Sequence, residues 1–169
     1  MTRSGLEKWY PETLKTFGTY TVFDLLTAYI RDGRIRLDKS RFDGVLTTYH
    51  DPCNYGRKAE RIFGHGYYDE PRWILSQCID NWVDTYPTRD SQYCCGGGGG
   101  TLTTGYNTER VFYGRKKMEQ IQATGAAMVV VPCHSCHGQL NAIKSEYGME
   151  NLVVKYLWEL VADCLVMDG

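Results

Sequence analysis

A chain of 169 residues with 43% apolar side chains, 13 tyrosines and 4 tryptophans has enough hydrophobic material for one compact domain, which excludes wholesale disorder. A net charge of −1 and an isoelectric point near 6.4 leave no global basic field for nucleic acid or an anionic membrane surface. With no run of 18 apolar residues and no apolar leader segment, the chain is expected to be cytoplasmic and to lack a direct membrane span, so its seven cysteines point to metal binding or redox chemistry rather than structural disulfides.

Residues 6–32 read as two helices, the second with Val22, Phe23, Leu25, Leu26, Tyr29 and Ile30 on an apolar stripe that Asp32-Gly33 stops. A charged connector, 34–43, follows. The β-branched segment 44–50 predicts a strand ended by Asp51-Pro52, which places Cys53 at its C-terminal tip. A loop with Gly56, Gly64 and Gly66 leads to Glu70-Pro71, where proline opens a helix carrying Leu75, Cys78, Ile79 and Trp82 on one face. Tyr86-Pro87 closes it, and a short extended piece, 90–93, runs into Cys94-Cys95 and five glycines.

From about Asn107 to Ala123 the pattern is helical, with Val111, Met118 and Ile121 inward and the basic run Arg115-Lys116-Lys117 forming a solvated face. The unbroken apolar run Ala126 to Val131 reads as a central parallel strand, delivering Pro132-Cys133-His134-Ser135-Cys136. A helix over 135–147, a short strand over 152–154 and a closing helix with Tyr156, Leu157, Leu160, Val161, Cys164 and Leu165 complete the chain. This alternation predicts an α/β fold, a parallel sheet flanked by helices, with the cysteines on loops at the C-terminal ends of its strands.

Five cysteines fall at these chain breaks: Cys53, Cys94, Cys95, Cys133 and Cys136. Cys78 and Cys164 lie on apolar helix faces and read as small buried hydrophobes. Adjacent thiols suit one zinc ion poorly, because structural zinc sites favour spaced pairs, whereas a multi-iron cluster offers each thiol its own iron and has a use for a fifth sulfur. A structural zinc-binding interaction domain remains the alternative. The run Cys133 to His137 also satisfies the C-x-x-C-H haem-attachment pattern, and Cys133 with Cys136 fits thiol exchange, but both leave three cysteines without purpose. Gly96 and Gly98 begin a nucleotide-loop pattern that Thr101 breaks. Five ordered glycines imply backbone packed closely against a bulky non-protein group.

The segments YHDPCNYGR, YDEPRWIL, YCCGGGG, VVVPCHSC and YLWELVA resemble the cysteine-rich CCG domain of heterodisulfide reductase catalytic subunits, most closely the heterodisulfide-reductase-like iron–sulfur subunit of the membrane complex associated with dissimilatory sulfite reductase. The resemblance covers about residues 44–167. It implies a non-cubane 4Fe-4S cluster held by Cys53, Cys94, Cys95, Cys133 and Cys136. Backbone N–H groups of Gly96, Gly97 and Gly98 would stabilise cluster sulfides. The implied activity is that of an oxidoreductase reducing or forming a disulfide, either a heterodisulfide or a di- or trisulfide on a small sulfur-carrier protein. The implied partners are electron-donating iron–sulfur or haem subunits of a membrane-associated complex, without which the chain does not turn over. His50, His134 and His137 lie near the ligands, either as proton donors to a leaving thiolate or in ordinary hydrogen bonds. Residues 1–43 resemble the helical connector that precedes the last such domain in longer relatives, and 44–169 the domain itself. Relatives also carry a second CCG unit or ferredoxin-like modules, and this sequence contains neither.

Overall fold

The computed structural model describes residues 2–167, which fall into two compact units divided between Ile35 and Arg36. The first unit contains three helices, α1 (Thr2–Trp9), α2 (Pro11–Thr16) and α3 (Val22–Arg31), rather than the two expected. Pro11 at the first position of α2 accounts for the extra break, since it cannot continue α1 but suits a helix start. A capping box opens α3: the Asp24 amide donates to Thr21 Oγ1 at 3.2 Å and the Thr21 amide to Asp24 Oδ2 at 2.7 Å.

The second unit is built on β1 (Thr47–Tyr49), α4 (Arg57–Phe63), α5 (Asp69–Cys78), β2 (Trp82–Asp84), α6 (Asn107–Thr124), β3 (Met128–Val131), α7 (His134–Ile143), β4 (Val153–Tyr156) and α8 (Leu157–Cys164). All four strands are parallel, in the order β2-β1-β3-β4. Thr47 pairs with both Trp82 and Met128, and Val131 pairs with Tyr156. Central β1 and β3 are buried along their whole length, while Val83 and Val153 on the edges are exposed, so only the central strands read as continuous apolar runs.

Parallel strands need crossovers, and their right-handed sense assigns the helices to the two faces of the sheet. On one side α5 packs with α8, and on the other α6 with α7. The core of the second side joins Met118 and Ile121 of α6, Leu140 and Ile143 of α7 and Val129, Val131 and Val154 of the sheet, with Cys95, Cys133 and Cys136 among them. Strand order reverses between β1 and β3, the topological switch point at which open α/β sheets take their ligands beyond the carboxyl ends of the strands.

Several local expectations are corrected. The helix carrying Cys78 ends there, and Trp82 belongs to edge strand β2, its indole N–H bonded to Ser76 Oγ at 3.0 Å. The loop after Cys53 holds the short α4, stopped by Gly64 at φ 70°. Residues 89–91 form a 3-10 turn, the helix after Cys133 becomes 3-10 at 144–147, and the last strand lies at 153–156. The basic run of α6 is not all solvated: Arg115 and Lys116 pair with Glu119 at the surface, but Lys117 is fully buried. Lys117 stands four residues before Ile121 and three after Gly114, on the same inward face.

Candidate metal centre

Three loops at the switch point supply the sulfurs. Cys53 follows β1, Cys94 and Cys95 precede α6, and Cys133 caps α7 directly after β3. The Sγ atoms of Cys95 and Cys136 are 3.3 Å apart. Cys53 is in hydrogen-bond contact with Cys94, Cys94 with Cys95, and Cys133 with Cys136. The five sulfurs therefore form one unbroken line, Cys53, Cys94, Cys95, Cys136, Cys133. Cys78 and Cys164 touch each other across α5 and α8, separate from this line.

The adjacent cysteines can sit here because helix and loop come unusually close. A Cβ on Gly96 would lie 3.0 Å from the Gly114 amide nitrogen, and one on Gly114 would lie 2.3 Å from Ile143 Cδ1 and 3.2 Å from the Cys95 carbonyl oxygen. A Cβ on Gly97 would meet Gln139 Cβ at 2.5 Å and the Ser135 carbonyl oxygen at 3.0 Å. The close approach that requires glycine at 96 and 97 is therefore made by protein, from α6 and α7. Around Gly98, Gly99 and Gly100 an added Cβ meets nothing within 4 Å, although Gly99 and Gly100 hold φ of 67° and 85°, values glycine alone adopts freely.

Backbone donors converge on the sulfurs. The Gly96 N–H donates to Cys94 Sγ at 3.4 Å, the Gly97 N–H to Cys95, and the N–H groups of Cys136 and Ser135, at the start of α7, to Cys133. Hydrogen bonds with the Cys53 and Cys95 thiols, joined by the Gly96 amide, hold Cys94 down to about 2. The hydrogen bond with Cys136 and the helix-start amides hold Cys133 down to about 6. Cys95 is pushed up to about 12: its bond with Cys136 lowers it, but contact with Cys94 and burial outweigh that. Cys53 and Cys136 are raised by their contacts with Cys94 and Cys133 respectively. Thiolate charge is thus favoured on Cys94 and Cys133 and disfavoured on Cys53, Cys95 and Cys136.

Two buried cationic or donor groups face this charge without partners. Both ring nitrogens of His50 and the Lys117 ammonium are out of contact with water and make no hydrogen bond. His50 presents a nitrogen to Cys95 and Cys136, the three donor atoms lying within 4.8 Å of one another. Burial, then the Lys117 charge, drives His50 well below its usual range, and burial pushes Lys117 down to about 8. His134 and His137, by contrast, are engaged elsewhere: His134 Nδ1 lies 2.5 Å from the Tyr156 hydroxyl, and the His137 ring stacks on Tyr156 at 4.0 Å between centroids. Reading Arg115-Lys116-Lys117 as a block hid Lys117; the helical phase it shares with Gly114 and Ile121 was the available signal.

Five sulfurs, amides aimed at them, and an unpartnered buried cation beside them form a site suited to an anionic, thiophilic group, and a sulfide-bearing metal cluster has that chemistry. A doubly wound parallel sheet with this sulfur line at its switch point defines the class of protein. Residues 47–141, more than half of the chain, match the cysteine-rich domain family designated CCG, and the chain belongs to that family. It is 31% identical over 159 residues to the Hdr-like menaquinol oxidoreductase iron–sulfur subunit 2 of Archaeoglobus fulgidus, covering 90% of this chain and 27% of the relative. It is 29% identical over 148 residues to a polypeptide of the dihydromethanophenazine:CoB–CoM heterodisulfide reductase of Methanosarcina barkeri, covering 83% of this chain and 33% of that one. A third relative, the EtfAB:quinone oxidoreductase of Syntrophomonas wolfei, is 26% identical over 169 residues, 92% of this chain and 22% of its own. The chain thus spans about a third or less of the length of each. These relatives support an iron–sulfur electron-transfer role. Among the described residues no helix is long and apolar enough to cross a membrane.

Proposed function

We propose that this chain is the disulfide-handling iron–sulfur module of an oxidoreductase, with a non-cubane 4Fe-4S cluster held by Cys53, Cys94, Cys95, Cys133 and Cys136. The unbroken line of five thiols carries the proposal, since no four-ligand metal site uses all of it. When bound, such a cluster supplies single electrons and an iron open to a substrate sulfur. The chain's own residues hold the charge in place. The Gly96 and Gly97 amides donate to the sulfurs, with Gly98 next to them in the loop, and the buried edge formed by β1 and α6 keeps water from one side.

The reaction is cleavage or formation of a sulfur–sulfur bond: a disulfide accepts two electrons and two protons to give two thiols, or the reverse. The substrate is a heterodisulfide of small thiols, or a di- or trisulfide on a small sulfur-carrier protein of sulfur metabolism. Iron–sulfur or haem subunits of a membrane-associated complex on the cytoplasmic face deliver the electrons, without which the chain does not turn over. Residues 1–43 serve as the helical connector to the domain of 44–169.

Anaerobic metal and sulfide analysis of the chain, with paramagnetic resonance after oxidation and added thiol, tests this. About four irons and four sulfides per chain, with a new signal on thiol addition, are expected. One geometric feature favours a second reading, a structural zinc ion in an interaction domain: His50, Cys95 and Cys136 alone give three donor atoms at close range. Stoichiometric zinc without acid-labile sulfide would establish that reading and end the first.

A further inference from the structure

We propose that Lys117 is a positioning residue, a fixed positive charge built into the fold beside the sulfur line, which pairs with the negative charge of the metal centre and raises its reduction potential. The inference rests on the iron–sulfur reading above. Its basis is the placement of one ammonium group. Lys117 is 0% exposed in the middle of α6, and its Nζ makes no hydrogen bond to any described residue. The charged and titratable groups facing it are Asp51, Cys94, Cys95, Cys136 and His50.

Asp51 is the strongest compensating charge, but it acts on Lys117 through space only and makes no hydrogen bond with it. That carboxylate already accepts from both terminal nitrogens of Arg72 at 2.7 and 2.8 Å, from the Arg89 amide at 3.0 Å and from the Thr88 hydroxyl at 3.3 Å. His50 carries no negative charge in either protonation state. The sulfurs remain. A buried ammonium without a hydrogen-bond partner is costly to a fold, and an anion bound beside it offsets that cost.

The helix geometry explains how the charge reaches this place. Arg110, Gly114 and Lys117 recur at spacings of four and three on the buried face of α6. Arg110 is tied down by Gln139 Oε1 at 2.8 Å and Asn107 Oδ1 at 2.5 Å. Gly114 admits the Cys95–Gly96 backbone against the helix, and Lys117, the next inward position, lies within reach of the charges of Cys94, Cys95 and Cys136. A cation held there, in a low-dielectric interior, favours the state with one more electron, which is how net charge around an iron–sulfur centre sets its potential.

The test compares the full chain with Lys117→Met and Lys117→Arg, all loaded with iron and sulfide, by metal analysis and a redox titration followed by paramagnetic resonance. Lys117→Met is expected to hold the same iron and sulfide with its midpoint potential shifted down, and Lys117→Arg to restore the potential toward the wild-type value. The metal-free Lys117→Met chain is expected to melt above metal-free wild type, because it loses an unpaired buried charge. If Lys117→Met fails to load while Lys117→Arg loads normally, the requirement for charge is supported in stronger form. An unchanged potential in Lys117→Met overturns the proposal and leaves the cluster reading standing. Loss of the centre in both variants, or a metal-free Lys117→Met chain that melts below wild type, makes Lys117 a packing residue and also overturns it. A wild-type chain that binds no iron overturns both.

Discussion

His50 and Asp51 are neighbours at the end of β1, each 1% exposed, yet the two polar clusters they belong to are built on opposite terms. Asp51 belongs to a closed network. Arg72, from α5, meets its carboxylate in a two-pronged contact, reaches Asp84 at the end of β2 with Nε at 3.0 Å and Nη2 at 2.6 Å, and donates to the Tyr68 carbonyl at 2.7 Å and Thr88 Oγ1 at 2.7 Å. His50 belongs to an open one, in which two ring nitrogens, a lysine ammonium and five thiols are packed together with fewer partners than their chemistry requires. Buried polar groups are almost always satisfied within the protein or by something it binds. The closed cluster therefore fixes the loop that bears Cys53, and the open one is suited to receive a ligand.

The largest effect should come from the open cluster. Cys95→Ser removes a central member of the sulfur line and replaces it with a poor iron ligand, so iron is expected to fall from about four per chain to a small fraction of that. Cys78→Ala, in the pair outside the line, should hold its iron. Equal iron in wild type and Cys95→Ser would erase the distinction between the two groups of cysteines.

The closed cluster should show itself in stability. Arg72→Leu leaves the Asp51 and Asp84 carboxylates without their shared partner, and Asp51 is fully buried, so about 3–5 kcal/mol should be lost in urea unfolding of the metal-free chain. A loss under about 1 kcal/mol would place Arg72 among the weakly contributing surface pairs and break the contrast.

How much of this was legible in the sequence depended on how each element is buried. The all-apolar run of β3 gave away a central parallel strand, and the cysteines at chain breaks pointed to the carboxyl edge of the sheet. β2 was hidden because an edge strand only three residues long, with Val83 exposed, has no continuous apolar signature, and Trp82 continued the periodicity of α5. α4 was hidden among glycines because seven residues are too few for a period to register. The Arg72 network was invisible because its partners stand 12, 16 and 21 residues away and meet only in the fold. Lys117 was misread for a simpler reason: composition assigns lysine to water, and only its phase on α6 says otherwise.

The glycine run sharpens the comparison at a smaller scale, because its members differ in what surrounds them. Gly97→Ala drives a Cβ to 2.5 Å from Gln139 Cβ and 3.0 Å from the Ser135 carbonyl, and backbone must shift to admit it. A destabilisation of about 1–3 kcal/mol is expected. Gly98→Ala has no neighbour within 4 Å and no left-handed backbone, so its thermal midpoint should match wild type within the ~0.5 kcal/mol typical of surface changes. Matching losses at the two positions would mean that the run is held as a unit rather than at Gly96 and Gly97.

The smallest effect is expected at the two histidines that flank Cys136 in sequence. His134 spends its Nδ1 on the Tyr156 hydroxyl, and His137 lies in a stack that continues through Tyr156 to Trp158, whose ring centroid is 4.6 Å from that of Tyr156. Neither histidine appears with His50 among the donor atoms gathered around Cys95 and Cys136. His137→Ala should therefore lose only the stacking contribution, about 0.5–1.5 kcal/mol, and His134→Ala one hydrogen bond at a half-open site, with iron content unchanged in both. Loss of iron in either variant would put an imidazole into the ligand set and displace one of the five cysteines. Retention of iron in both, set beside its loss in Cys95→Ser, would confine the ligand field to the sulfur line and keep the histidines of the Tyr156 stack out of it.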